Sequence, residues 1–322
     1  MPRLLLVLLA IVLGLARAPS AQAAGFRLIE VPGDADDPAL KGAMWYPCSK
    51  PPGEIHLGNV VLPGVRDCAI SGRRLPLVVV SHGRGGSFIG HHDTAETLAD
   101  AGFVVAAINH PGSTASDNRV GDLSALVERP TDVRRLVDFI LGPSPAAAHI
   151  DSRQIGFFGF SMGGYTGLVV IGANPDWTIA LCRQSPAVPV CEHILRKEFR
   201  VLPLVHDPRI KAAVIANPFS AFFAADSFAA VRVPVQLWAS ARGGDEVAPE
   251  DVAMVNRNLP AKHEYHVVPN SGHFSFLAPC APALAKARLE LCSDAPGFDR
   301  VAFHKQFDAD LLAFFRAYLV ER

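Results

Sequence analysis

The stretch Gly159–Gly163 places Ser161 between two glycines, in the pattern G-x-S-x-G. An apolar run that predicts a strand, Gln154–Phe160, precedes the serine, and a helix rich in small residues is predicted from Met162 to about Ile171. In this context the pattern predicts a sharp strand-to-helix turn that exposes the serine hydroxyl, because the glycines let neighbouring elements approach closely. Ser161 is therefore the candidate nucleophile, and the alternative is a glycine-rich turn with an inactive serine.

A serine hydroxyl needs a base, and His273 stands in a suitable place among the 12 histidines. It follows the last predicted strand, His263–Val268, and completes the chain order serine, acid, histidine that accompanies such turns. An imidazole in this place takes the hydroxyl proton during attack and returns it to the leaving group. We expect His273 to be the general base, and a structural loop histidine is the alternative.

The base needs a carboxylate that fixes its tautomer and stabilises the imidazolium. The predicted strand Val233–Ala239 runs into a loop that contains Asp245, which we assign as this acid. Glu246 is its rival, because a different loop register would exchange the two neighbours. Asp226, upstream of the strand, is a third candidate.

A second glycine-rich turn, Ser81–Gly86, follows the predicted strand Leu77–Val80. We predict that the backbone N–H groups of Arg84 and Met162 form an oxyanion hole, in which each donor contributes roughly 10²–10³ in rate. His82 in the same turn is predicted to be a buried hydrogen-bonding residue rather than a catalyst.

These groups need a scaffold that brings strand ends together. Continuous apolar strands alternate with helices, which predicts an α/β fold with a mostly parallel sheet covered by helices on both faces. Sites in such folds form outside the carboxyl ends of the strands. We expect one domain over residues 25–322, with residues 174–208 as a small cap-like insertion. The other predicted elements are strands Phe26–Val31, Lys41–Tyr46, Phe103–Ile108 and Ile210–Ala216, a loop that continues through Arg74, and helices Asp93–Ala101 (capped by Asp93), Pro130–Leu141 and Val301–Leu319.

Residues 1–24 have a basic start, a short apolar run and an end of small residues, which together predict a secretory signal peptide. An uncleaved anchor is the alternative. Removing the segment takes away Arg3 and Arg17 and changes the formal net charge from −1 to −3, so no basic surface for nucleic acid is expected. The composition, 50% hydrophobic and 19% charged, excludes a disordered chain.

Export to an oxidising compartment would favour disulfides among the six cysteines. Six cysteines allow 15 pairings, and sequence neighbours pair most simply. A zinc site is the alternative, although the chain has no C-x-x-C pair to support it. The expected bridges are Cys48–Cys68, Cys182–Cys191 and Cys280–Cys292.

Two other groups of residues leave alternatives open. The stretch Gly90–Asp93 contains metal-binding residue types, but its place before a predicted helix favours a cap and a polar loop. A group of four phenylalanines either lines an acyl pocket or belongs to the core. Its members are Phe219, Phe222, Phe223 and Phe228.

Taken together, these residues resemble the α/β-hydrolase superfamily and, more narrowly, bacterial dienelactone-hydrolase-like proteins related to platelet-activating-factor acetylhydrolase. Dienelactone hydrolases use a cysteine nucleophile, where this chain has Ser161. Acetylhydrolases carry the acid after the strand that corresponds to Ile210–Ala216, where this chain has Asn217, and this departure favours Asp245. The matching stretches are Met44–Pro47, Ser81–Gly86, Asn109–Gly112, Arg129–Val133, Gly159–Gly164, Asp207–Ala213 and Ser271–His273.

The resemblance and the site residues imply a secreted or periplasmic serine hydrolase that cleaves carboxylic esters, with short acyl chains expected. No metal or cofactor is expected, and the expected partner is a small-molecule ester rather than nucleic acid or membrane. A peptidase or amidase, a phospholipid-acetyl hydrolase and a non-catalytic binding module of the same fold are the alternatives.

Overall fold

The computed structural model describes residues 23–58, 60–118, 124–176, 204–260 and 262–321. Within these residues the strands form a sheet of ten. The strands are β1 Ala23–Val31, β2 Leu40–Cys48, β3 Gly53–Leu57, β4 Val60–Arg66, β5 Leu75–Ser81, β6 Val104–Ile108, β7 Ile150–Phe160, β8 Ile210–Ala216, β9 Val235–Ser240 and β10 His263–Val268. The α-helices are α1 His92–Asp100, α2 Ser124–Leu141, α3 Met162–Val170, α4 Pro249–Asn258, α5 Pro282–Ala287, α6 Leu289–Cys292 and α7 Arg300–Phe315.

The order across the sheet is β10-β9-β8-β7-β5-β6-β2-β1-β4-β3. The six strands from β10 to β6 run parallel, while β2 is antiparallel to both β6 and β1. The loops that leave β5, β7, β8, β9 and β10 therefore meet at one edge of the sheet, the edge formed by the carboxyl ends of the parallel strands. This edge brings together residues that lie far apart in the sequence.

The core lies on both faces of the sheet, which explains the continuous apolar runs in its central strands. In β5, Leu77 and Val79 pack under α2, α3 and α4, while Val78 and Val80 face α1 and α7. The predicted α/β architecture is confirmed in its mostly parallel sheet and its helices on two faces.

Two predictions on local structure were wrong. The loop predicted to continue through Arg74 contains the antiparallel pair β3 and β4 at the edge of the sheet. In Glu54–Leu57 the apolar residues Ile55 and Leu57 alternate with the exposed residues Glu54 and His56. This short alternation is a weak signal, and the prolines and glycines around it made the segment resemble a loop. The helix predicted to be capped by Asp93 begins at His92, with His91 at its N-cap and Asp93 in its first turn.

Two of the three expected disulfides, Cys48–Cys68 and Cys280–Cys292, are present. They are consistent with an oxidising compartment. The third expected bridge, Cys182–Cys191, and most of the cap-like insertion lie outside the described residues. Strand β1 begins at Ala23 and so includes the last two residues of the predicted signal peptide. No helix in the described part of the chain is long and apolar enough to span a membrane.

Candidate active site

Ser161 occupies the turn between β7 and α3, with backbone angles of φ 56° and ψ −118°. A non-glycine residue with positive φ is uncommon and marks a position that the surrounding structure holds in place. Glycines make this turn sterically feasible. A Cβ on Gly163 would overlap the Ser81 carbonyl oxygen, and one on Gly159 would overlap the carbonyl oxygen of Gly163. The pattern G-x-S-x-G therefore forms the strained turn that the sequence predicts.

The turn after β5 lies beside this serine, because a Cβ on Gly83 would be 3.2 Å from the Ser161 Cβ. Two amides of the turn are already engaged: Gly85 N–H donates to the Ser113 carbonyl and Gly86 N–H to the Gly83 carbonyl. The Arg84 amide, which the sequence predicts as an oxyanion donor, is not one of these two. Met162 supplies the other candidate amide as the first residue of α3, since N–H groups of a first turn have no partner within their helix.

His82 is a structural residue of this turn, as the sequence predicts. Its Nε2 accepts the backbone N–H of His110 at 3.2 Å, so its Nδ1 carries the proton and donates to the Gly83 carbonyl at 2.6 Å. The ring is 2% exposed, and burial holds its pKa well below the usual range. Both nitrogens are therefore engaged in hydrogen bonds.

A buried polar network supports the same turn from below. The Ser81 hydroxyl lies 2.9 Å from His110 Nε2, and His110 Nδ1 lies 2.9 Å from the Asp132 carboxylate. The order of groups is that of a catalytic triad, but Ser81 and His110 are 0% exposed and Asp132 is 6% exposed. Ser81 ends β5, His110 follows β6 and Asp132 lies in α2, so these groups join the turn after β5 to two neighbouring elements.

His273 lies at the start of a short helical turn after β10 and is 2% exposed. Its ring packs at 4.7 Å, between ring centroids, against Phe160, the residue before the candidate nucleophile. Burial lowers the pKa of His273 to about 4; the charge of Asp245 raises it, and that of Arg84 lowers it further. The imidazole is consequently neutral at pH 7, which is the state that a general base requires.

Asn217, the first residue after β8, contacts the Nδ1 side of this imidazole. Its Nδ2 lies 2.6 Å from His273 Nδ1. The amide orientation is fixed by Ser240, whose backbone N–H donates to Asn217 Oδ1 at 2.9 Å and whose hydroxyl donates at 3.2 Å. Because a backbone N–H can only donate, Oδ1 must face Ser240 and the NH₂ group must face His273.

This hydrogen bond sets the tautomer of the neutral imidazole. Since Asn217 donates to Nδ1, the ring proton resides on Nε2. Nε2 is buried and has no hydrogen-bond partner in the described residues. A serine is activated by an imidazole that accepts its proton at Nε2. This arrangement therefore holds His273 in the tautomer that cannot accept the serine proton.

The acid of a catalytic triad contacts Nδ1 of the histidine, but Asp245 lies at the other ring nitrogen, Nε2. Its Oδ2 is 3.9 Å from His273 Nε2, whereas Nδ1 faces Asn217. Arg84 binds the carboxylates of Asp245 and Glu246, at 3.1 Å each. Asp245 and Glu246 both have positive φ and form the tip of a tight turn closed by hydrogen bonds between Gly244 and Val247. The assignment of Asp245 as the acid stays a prediction.

The site thus brings Ser161, His273, Asp245 and Arg84 to one edge of the sheet. Asp226 lies in a short helical turn before β9. The group of four phenylalanines is buried in the core around Tyr165, which favours the core alternative. The contact between Asn217 and His273 was not predicted from the sequence. An asparagine in the place where acetylhydrolases carry their acid was the available signal.

Comparisons with known proteins bear on the fold rather than on the roles of these residues. The sequence model of the family Hydrolase_4, described as serine aminopeptidase, S33, matches residues 73–221. No curated protein matches the chain in sequence. Among solved structures, a ferulic acid esterase from Streptomyces cinnamoneus is similar with a TM-score of 0.66 and 19% identity, over 95% of this chain and 92% of that one. A dienelactone hydrolase from Anabaena variabilis is similar with a TM-score of 0.52 and 15% identity, over 93% of this chain and 99% of that one.

At these identities the structural similarities establish the fold, and the family match covers the segment that contains both the oxyanion turn and the Ser161 turn. The sheet order, the strained serine turn and the histidine after the last strand agree with that assignment. The chain therefore has the α/β-hydrolase fold.

Proposed function

We propose that this α/β-hydrolase is a secreted or periplasmic serine hydrolase that cleaves small carboxylic esters through an acyl-enzyme. The observation that carries the proposal is Ser161 at a strained turn, with the buried, neutral His273 packed against the preceding residue, Phe160. Strain of this kind persists only where the surrounding structure maintains it, and it concentrates at active sites. The predicted leader and the two disulfides support export.

In the proposed mechanism, Ser161 Oγ attacks the ester carbonyl carbon while His273 Nε2 takes its proton. The backbone N–H groups of Arg84 and Met162 stabilise the oxyanion. When the tetrahedral intermediate collapses, the C–O bond to the alcohol breaks and the imidazolium protonates the departing oxygen. Water then attacks the acyl-enzyme with His273 as base, which releases the carboxylic acid and restores the serine.

His273 can act as this base only when its proton is on Nδ1. Asn217 must then present its Oδ1 to Nδ1–H, which releases the hydrogen bond from the Ser240 backbone. Asp245 completes the proposed triad as the carboxylate that stabilises the imidazolium by charge from 3.9 Å away. Asn217 is a positioning residue in this scheme, because it acts on substrate only through His273.

Hydrolysis of p-nitrophenyl acetate by the mature protein tests the proposal. The Ser161→Ala variant is expected to lose activity to the level of the uncatalysed reaction. Ser152→Ala is the matched control, because Ser152 is exposed at the amino end of β7, the end of that strand far from Ser161. Ser161→Ala protein that is folded and still hydrolyses the ester at the wild-type rate would disprove the mechanism.

A peptidase is the second candidate, favoured by the match to a family described as serine aminopeptidase. The same nucleophile and base can act on amides, so the site does not distinguish the two. Matched substrates with the same acyl group, one an ester and one an anilide, separate them. The proposal expects a higher kcat/KM for the ester beyond the difference in intrinsic reactivity, and a preference for the anilide would favour the peptidase.

A further inference from the structure

A second group of ionisable side chains lies between α1 and α7, away from Ser161. Asp93 comes from α1, and His304 and Asp308 come from successive turns of α7. Each offers one ligand atom, and these three atoms lie within 4.8 Å of one another. We refer to these three residues as the α1–α7 cluster. In the sequence, Asp93 is more than 200 residues from His304, so no local pattern places α7 beside it.

His304 is held in the manner of a metal ligand. Its Nε2 lies 3.0 Å from the Ser275 carbonyl, so Nε2–H donates and Nδ1 is the nitrogen that faces Asp93. Burial lowers the pKa of His304, but the Asp93 carboxylate raises it by more, so a cation bound at Nδ1 would displace the proton that this ion pair favours. Metal-binding histidines almost always donate their other ring N–H to such an acceptor. His304 is 3% exposed, and its Nδ1 has no hydrogen-bond partner in the described chain, although it lies only 2.7 Å from Asp93 Oδ2.

The two carboxylates are in different environments: burial raises the pKa of Asp93, but its contact with His304 lowers that pKa by more, whereas Asp308 has no such partner in the described residues. Both oxygens of Asp93 are inaccessible to solvent and accept no hydrogen bond from any described residue. Asp308 is 6% exposed and accepts one hydrogen bond, from the Thr94 hydroxyl at 2.6 Å. Burial and the charge of Asp93 raise the pKa of Asp308. A bound dication would compensate the charges of both carboxylates, and Thr94 would orient one ligand from behind.

The donor set favours one class of cation. Imidazole nitrogen favours first-row transition metals and zinc over Mg²⁺ and Ca²⁺, which prefer oxygen ligands alone. In a tetrahedral zinc site, bonds of 2.0–2.2 Å place ligand atoms about 3.4 Å apart. In the cluster, His304 Nδ1 and Asp93 Oδ2 are 2.7 Å apart and no two of the three ligand atoms are more than 4.8 Å apart, so the zinc separation lies within this range. A groove of about 490 Å³ lined by Asp93, His304 and Asp308 adjoins the cluster.

We propose that Asp93, His304 and Asp308 bind one Zn²⁺, which joins α1 to α7. Water completes the coordination from the groove. Because His304 also holds the Ser275 carbonyl, the cation lies one side chain away from the short helical turn His273–Phe276 that begins with the candidate base. The site is structural and takes no part in the proposed ester hydrolysis, so its test is independent of that activity.

The test uses untagged mature protein that has been treated with a chelator, desalted and titrated with ZnCl₂. Zinc retained after gel filtration is counted by elemental analysis, and the Tm is measured with and without the metal. We expect one Zn²⁺ per chain and, at a 100-fold excess over Kd, a rise in Tm of about 4 °C. CaCl₂ should give no such rise. His304→Gln and Asp308→Asn should each lose the retained zinc, whereas His56→Gln, a change at an exposed surface histidine, should keep it.

Crystals of the wild-type protein soaked in ZnCl₂ provide a measurement that does not depend on the variants folding. An anomalous peak at the zinc edge between the three side chains supports the site. Three outcomes would overturn the proposal: no zinc retained by wild-type protein, retention unchanged in folded Asp308→Asn, or no peak between α1 and α7. Any of these would leave the Asp93–His304 pair as an ordinary ion pair.

Discussion

Replacing Asn217 with aspartate should increase the activity of this protein. Asn217 donates to His273 Nδ1 and thereby keeps the ring proton on Nε2, where it prevents base catalysis. An aspartate in the same place can only accept at neutral pH, so it would draw the proton to Nδ1 and leave Nε2 free for the serine. The hydrogen bonds from Ser240 would be retained, because they also need an acceptor. The backbone φ of 42° is one that Asp tolerates nearly as well as Asn.

The size of the effect follows from what the asparagine must give up. To become active with Asn217 in place, the amide must turn and leave the backbone N–H of Ser240, a residue that is 0% exposed, without its partner. An unsatisfied buried N–H costs about 1–3 kcal/mol, which corresponds to a factor of about 5 to 160 in rate. Asn217→Asp removes this cost, so kcat/KM should rise by that factor, with the change in kcat rather than in KM.

The assay is the steady-state hydrolysis of a p-nitrophenyl ester at pH 7. Asn270→Asp is the matched control: Asn270 also has positive φ and lies close to His273 in the chain, but it contacts Arg242 and Pro296 rather than the imidazole. We expect no gain from the control. If folded Asn217→Asp protein shows an unchanged or lower kcat/KM, the tautomer argument is refuted, and Asp245 must reach Nδ1 through a rearranged loop.

Two further variants test other parts of the structure. Because His273 must be neutral to act as a base, activity should fall as the pH falls through its pKa of about 4; this part of the pH–rate profile is the acid limb. The Asp245 charge raises that pKa, so Asp245→Asn should shift the acid limb to lower pH. Its kcat/KM at pH 7 should fall at least about tenfold, because the imidazolium loses a nearby charge. Gly163→Ala should destabilise the fold by about 3 kcal/mol in a denaturant titration, since its Cβ would overlap the Ser81 carbonyl oxygen.

Each of these two variants has a matched control. Glu246→Gln, which removes the neighbouring carboxylate, should leave the acid limb of the pH–rate profile in place. If the acid limb shifts in Glu246→Gln and not in Asp245→Asn, Glu246 is the acid instead. Gly53→Ala places a Cβ in ordinary contact, 3.7 Å from its nearest neighbour, and should change the stability little. Equal stability of the two alanine variants would mean that the serine turn is not tightly packed.

Short-range patterns predicted much of the scaffold. Each strand buried on both faces is a continuous apolar run, so β5 to β9 could be located, and β8 has the bounds that were expected. The bounds of β10 were also predicted, although this edge strand is only partly buried. The G-x-S-x-G pattern predicted the strained turn because its cause is largely local: Gly159 lets the Gly163 carbonyl approach within the turn, and Gly163 leaves room for the Ser81 carbonyl of the neighbouring strand. The edge strands β3 and β4 were missed because half-buried strands carry a weaker signal.

Contacts between distant segments could not be predicted in the same way. Which side of the His273 ring faces Asn217 and which faces Asp245 depends on how the loops after β8, β9 and β10 meet. The sequence indicates only that these loops share one edge. The α1–α7 cluster is hidden for the same reason, since Asp93 and His304 become neighbours only when both helices pack on one face of the sheet.

The central claim, that Ser161 is the nucleophile, is tested most directly by labelling folded protein with a fluorophosphonate and mapping the adduct by mass spectrometry. The account predicts one adduct per chain, on the peptide that contains Ser161. It also predicts that the adduct is absent from Ser161→Ala and retained in Ser152→Ala. No adduct on the folded wild-type protein, or an adduct on another serine, would contradict it.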